Sequence, residues 1–125
     1  MKYLVLFLSL TFSSCSSQSK ECSKFKVGTF KYDNNYFSDI IIVRNDSMQI
    51  EYNSKDDVEI ESDIKWISNC EYVLTYKKIS NYTEKESVIG KKIFVTILNT
   101  DKDSYTAQVV STTLKTKVKF VKIND

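Results

Sequence analysis

Apolar and polar residues alternate with a period of two along almost the whole stretch from residue 25 to residue 123. No stretch of eleven or more residues keeps its apolar positions on one helical face, so the pattern predicts strands nearly throughout. Eight segments rich in β-branched and aromatic residues carry it: 24–32, 39–45, 47–53, 58–67, 71–78, 91–99, 104–112 and 115–123. Polar clusters separate them, among them Asp33-Asn34-Asn35, Asn45-Asp46, Asn53-Ser54-Lys55-Asp56-Asp57, Ser68-Asn69 and Asn99-Thr100-Asp101-Lys102-Asp103. Asn and Asp bond the nearby backbone and tolerate left-handed dihedrals, so they supply turns that Gly and Pro supply elsewhere.

The alternation assigns faces. In the fourth segment Val58, Ile60, Ile64 and Trp66 point one way, while Glu59, Glu61, Asp63 and Lys65 point the other. Tyr72, Leu74 and Tyr76 continue the inner face, followed by Ile93, Val95 and Ile97, by Tyr105, Ala107 and Val109, and by Leu114, Val118 and Phe120. One face of the sheet is thus expected to be a continuous apolar layer and the other mostly charged. With no helix to cover it, such a layer must close on itself. The fold class is therefore all-β: an antiparallel up-and-down meander closing into an eight-stranded barrel, with a two-layer sandwich as the alternative. A break in register between Val27 and Phe30 predicts a bulge at Gly28. Segment 80–90 is the longest without strand character and is a candidate mouth loop.

At 125 residues the chain accommodates one domain. It has no His and no Pro, two Gly, and a single arginine, Arg44, among 18 basic residues set against 16 acidic ones. Without His, Ser-His-Asp and Cys-His catalysis and His-containing metal sites are excluded. A formal charge of +2 selects neither an acidic nor a basic partner. Asn99, Asp101 and Asp103 have the opening spacing of a calcium loop, but Ser104 and Val110 occupy the places of its Gly and its bidentate Glu, so a hairpin turn is the better reading. Asp56-Asp57 and the pair Glu59 and Glu61 are candidate paired carboxylates, yet alternation puts the two Glu on the solvated face. Lys115, Lys117 and Lys119 line one side of the last segment and are read as keeping it soluble; nucleic-acid binding is not expected. No metal, cofactor or catalytic activity is expected.

The amino terminus has its own logic. Met1-Lys2-Tyr3 precedes the apolar run Leu4 to Phe12, which ends at Ser13-Ser14-Cys15. The run falls short of the roughly 20 apolar residues needed to span a bilayer, so residues 1–14 read as a signal peptide. Phe12 to Cys15 resembles the bacterial lipobox, which implies lipidation of Cys15 and attachment to a membrane through that anchor. Residues 15–23 would form the lipidated Cys and a short tether, and 24–125 a single barrel domain. No acidic residue follows Cys15 directly. By resemblance to lipoprotein sorting signals, that places the domain on the periplasmic face of an outer membrane, or at the cell surface. With Cys15 lipidated, Cys22 and Cys70 remain in a disulfide-permissive compartment and are expected to pair.

Gly28-Thr29-Phe30 is similar to the lipocalin Gly-x-Trp signature, and Trp66 to Leu74, with its Trp and Cys bridging two strands, resembles small lipocalin-like lipoproteins of flavobacteria and other Bacteroidetes. The resemblance implies a barrel with an internal site for a small hydrophobic ligand. It also implies a basic residue on the last strand, for which this chain offers Lys117, Lys119 or Lys122, the sole Arg lying on the second segment. Seven aromatics would crowd the interior, Phe30, Tyr32, Trp66, Tyr72, Tyr76, Tyr105 and Phe120, either as a filled core or as the lining of a pocket whose Tyr hydroxyls orient a ligand. Asp46-Ser47-Met48 is similar to the O-glycosylation triplet of Bacteroidetes, implying modification of Ser47. Two functions follow as expectations: a small-ligand-binding lipoprotein, or a non-catalytic cell-envelope protein with a filled barrel that docks a protein partner.

Overall fold

The computed structural model describes residues 20–83 and 85–124. Residues 1–14, expected to be a signal peptide, and Cys15, expected to be lipidated, lie outside the described residues. Eight strands follow one another: β1 Gly28–Tyr32, β2 Ile40–Arg44, β3 Met48–Asn53, β4 Val58–Ser68, β5 Glu71–Ile79, β6 Lys92–Thr100, β7 Ser104–Val110 and β8 Lys115–Asn124. Each pairs antiparallel with the next, and β8 returns to pair with β1, closing an up-and-down barrel in which no sheet edge is left open. Closure excludes the sandwich alternative.

The meander gives the barrel two unlike ends. At one end lie the turns after β2, β4 and β6 together with both termini of the barrel. Here a 3-10 turn, Cys22–Phe25, lies across the opening, and its Phe25 is fully buried against Tyr105 with ring centroids 5.1 Å apart. Cys22 forms a disulfide with Cys70 in the β4–β5 turn. Lys122 on β8 donates from Nζ to the Lys24 carbonyl at 2.7 Å, tying the same turn to the last strand. At the other end lie the longer connections: 33–39 with the 3-10 turn Asn35–Phe37, then 54–57, 80–91 with the short helix α1 Lys85–Val88, and 111–114. Segment 80–90 therefore sits at the open end, where a mouth loop belongs.

The turn chemistry is that of Asn and Asp. Asn45 Oδ1 accepts from the Ser47 and Met48 N–H groups, and Asn53 Oδ1 accepts from that of Lys55. Asp57 and Asn81 hold left-handed φ values of 51° and 55°. Residues 101–103 form a hairpin turn closed by the bond from Asp101 N–H to the Ser104 carbonyl. Gly28 is needed at the barrel seam: its φ is +140°, and a Cβ there would lie 2.7 Å from both the Asn124 carbonyl oxygen and Lys122 Cε.

Three expectations need correction. The first strand begins at Gly28, not at residue 24, because the disulfide and the burial of Phe25 draw 22–25 into a 3-10 turn and leave Val27 exposed. The bulge falls one residue later than expected, between Thr29 and Phe30, and only against β8. Leu114 belongs to the 111–114 turn and is 57% exposed, because the chain must reverse there before β8 begins at Lys115.

Candidate functional site

The barrel interior divides into a packed half and a hollow half. Near the closed end Phe25, Phe30, Tyr72 and Tyr105 are buried around the guanidinium of Arg44. Arg44 Nε donates to Gln49 Oε1 at 3.0 Å, Nη1 to the Phe25 carbonyl at 2.8 Å, and Nη2 to the hydroxyls of Tyr72 at 3.2 Å and Tyr105 at 3.0 Å. Those two hydroxyls are 2.9 Å apart and bond each other. The guanidinium also lies over the rings of Phe30, at 4.5 Å, and Tyr72, at 4.8 Å. Arg44 makes no salt bridge among the described residues. Burial disfavours its charge, and the surrounding tyrosine oxygens more than offset this, leaving the group firmly cationic.

Above this node, toward the open end, is a cavity of about 350 Å³. Its wall is apolar on one side, from Leu74, Ile93, Val95, Val109, Val118 and Phe120. On the other side it is polar, from Tyr32, Gln49, Glu51, Tyr72 and Tyr76, with Arg44 at the floor. A second chamber of about 400 Å³ shares Ile40, Glu51 and Tyr76 with the first and extends to the mouth along Val58, Ile60, Ile79, Tyr82 and Val88. Glu51 and Tyr76 thus stand between the chambers.

The polar wall has a simple origin. On β3 the inward positions are Gln49, Glu51 and Asn53, paired in register with the inward Arg44, Ile42 and Ile40 of β2. Outward positions of the same hairpin are apolar: Ile41 and Val43 on β2, Met48, Ile50 and Tyr52 on β3. The expected continuous apolar inner face therefore fails at β3, whose alternation is inverted relative to the rest of the barrel. Glu59, Asp63 and Lys65 are exposed as alternation predicts, and the carboxyl inside the barrel is Glu51.

Tyr32 donates its hydroxyl proton to Glu51 Oε1. Burial pushes the Glu51 carboxyl above its ordinary range, opposed by that bond, and burial together with the Glu51 charge raises Tyr32 and Tyr76 as well. A carboxyl whose folded value lies above its unfolded one favours the fold in its protonated form. Its contribution is fully present below the unfolded value and is lost as pH rises through the folded one. Glu51→Gln is therefore expected to melt at a higher temperature than the parent at neutral pH, with the difference vanishing toward about pH 4 in thermal denaturation. Equal melting temperatures at neutral pH would contradict this.

Of the seven aromatics expected in the interior, Tyr32, Tyr72, Tyr76 and Phe120 line the cavity. Phe30 and Tyr105 are packed into the Arg44 node, and Trp66 packs against Tyr72 near the closed end, its ring tilted by 48° with centroids 4.6 Å apart. These three form core because the 3-10 turn and Arg44 fill that half of the barrel. The interior is thus filled at the closed end and hollow toward the open end. Lys122 is the last-strand lysine that reaches the closed end; Lys117 is exposed and Lys119 pairs outside with Asp33. Ser47 is exposed in the β2–β3 turn. Arg44, Gln49 and Glu51 were not among the expected site residues, since their inward placement appears only once β3 is in register with β2. Comparison with protein-family models, with curated proteins and with solved structures finds no match for this chain.

Proposed function

We propose that this protein is a lipid-anchored, periplasm-facing protein of an outer membrane whose barrel binds a small hydrophobic ligand. The observation that carries the reading is the cavity of about 350 Å³ with one apolar wall, within the volume range of small-molecule sites. A barrel evolved only to be filled would close this space with the aromatics it already has. The lipobox-like Ser13-Ser14-Cys15 supports the anchor, and the disulfide is in keeping with an oxidising compartment.

The two ends of the barrel make the reading geometric. The chain enters at the closed end, where Glu21 N–H bonds Thr100 Oγ1. Five residues from Cys15 to Lys20 reach at most about 18 Å. An acyl anchor at Cys15 would therefore hold the closed end toward the bilayer and turn the mouth to the aqueous side, so that ligand enters from solution.

Native mass spectrometry of the protein purified from its own envelope, before and after organic extraction, tests this. A discrete small mass lost on extraction, and absent from a Val118→Trp variant that fills the cavity, is the expected result. A spectrum without bound mass, unchanged by incubation with envelope lipids, would overturn it. The second reading, a protein-docking lipoprotein, would then take its place, favoured by the outward apolar strip of Val43, 51% exposed, Tyr52, 40% exposed, and their neighbours on β2 and β3.

A further inference from the structure

The polar wall of the cavity contains groups of two kinds, and they differ in what remains for a ligand. Arg44 is largely committed: Nε, Nη1 and Nη2 all donate to protein oxygens, and the guanidinium lies over the rings of Phe30 and Tyr72. It has no open fork of two parallel N–H groups to offer a carboxylate. Gln49 is committed to Arg44 in turn. Glu51 and Tyr76 differ. Glu51 accepts one bond, from Tyr32, on Oε1; no salt bridge reaches it among the described residues, and its perturbation comes from burial and from Tyr32 alone. The Tyr76 hydroxyl makes no hydrogen bond among the described residues, and it is close enough to feel the Glu51 charge.

These two groups stand where the inner chamber meets the outer one, with Asp56 farther out along the same path. A carboxyl facing an apolar chamber without a cation is costly unless something supplies the missing charge. Resting on the ligand-binding reading above, we propose that the barrel selects a hydrophobic primary amine, its ammonium group held between Glu51 and the Tyr76 hydroxyl and its apolar body in the inner chamber. The ammonium donates to the second Glu51 oxygen and to the Tyr76 oxygen. The chain lies against Val95, Val109, Val118 and Phe120. A fatty carboxylate would meet Glu51 as a like charge and find four of the five Arg44 N–H groups already taken by protein oxygens.

The test is calorimetric titration of the purified, delipidated protein with n-decylamine, n-decanol and decanoate, three probes of matched chain and different head. Decylamine is expected to bind at least about tenfold more tightly than either of the others, a difference of about 1.4 kcal/mol. Glu51→Gln should bring the amine down to the affinity of the alcohol while leaving the alcohol unchanged, and Tyr76→Phe should weaken the amine several-fold. Cooperative melting of both variants, at a temperature no lower than the parent's for Glu51→Gln, shows that the barrel is intact. Decanoate binding as tightly as decylamine, or amine affinity indifferent to Glu51→Gln, overturns the head-group assignment while leaving the cavity reading in place. Failure of all three probes overturns both.

Discussion

Replacing Arg44 with methionine is expected to lower the unfolding free energy by about 3–5 kcal/mol, a large share of what a domain of this size has. Swapping a buried ion pair for hydrophobes can be neutral when both charges go together. Here there is one charge, and its partners would stay behind: the Phe25 carbonyl, Gln49 Oε1 and two tyrosine hydroxyls. Tyr72 and Tyr105 would keep each other, but Gln49 and the Phe25 carbonyl would be left in an apolar interior, each costing about 1–3 kcal/mol. Arg44→Lys should rescue little, because an ammonium is a compact point charge that cannot reach all of these acceptors at once from the place the guanidinium holds over Phe30 and Tyr72. Urea unfolding followed through Trp66, the only tryptophan, measures both variants, and Trp66 packs against Tyr72, one of the partners in question. A methionine variant within about 1 kcal/mol of the parent would show that the node contributes little.

Removal of the Cys22–Cys70 disulfide is expected to cost a similar amount. The bridge spans 48 positions, for which loop entropy in the unfolded chain accounts for about 4 kcal/mol. The double Cys22→Ser, Cys70→Ser variant should accordingly unfold at much lower urea concentration, and reduction of the parent should reproduce the shift. The two large effects should not be independent. The disulfide and the bond from Arg44 Nη1 to the Phe25 carbonyl hold the same 3-10 turn across the closed end. Losing either lets that turn lift, after which the other has less to hold. The combined variant should therefore lose less than the sum of the separate losses, and strict additivity would refute the shared role.

How much of this was legible beforehand varied with the kind of signal. Strand number and order, antiparallel meander and barrel closure follow from alternation together with short Asn- and Asp-rich connections, and the structure has all of them. Pairing of Cys22 with Cys70 was legible from an even count once Cys15 was set aside. Residues 24–27 were not, because Phe25 and Val27 mimic strand alternation and only the disulfide partner, remote in sequence, reveals why the backbone coils there. Nor was the site. Segment 39–45 is apolar on both faces, so it carries no information about which way Arg44 points. Segment 47–53 alternates cleanly and misleads, because its apolar set faces solvent. A rule that sends apolar residues inward finds cores well, and a polar wall built into a core is the feature it must misplace.

That inverted strand bears on how the chain reaches its native pairing. Slip β3 by one residue against its neighbours and Met48, Ile50 and Tyr52 would turn inward while Gln49, Glu51 and Asn53 would reach water, an exchange that burial of apolar surface alone would reward. What opposes it is local and directional. The Asn45 side chain bonds two successive N–H groups of the turn, Asn45 N–H returns to the Met48 carbonyl, and Arg44 meets Gln49 directly across the ladder. The register of the β2–β3 hairpin is thus held by directional hydrogen bonds at its turn and at Arg44, against the greasier alignment that apolar burial alone would choose.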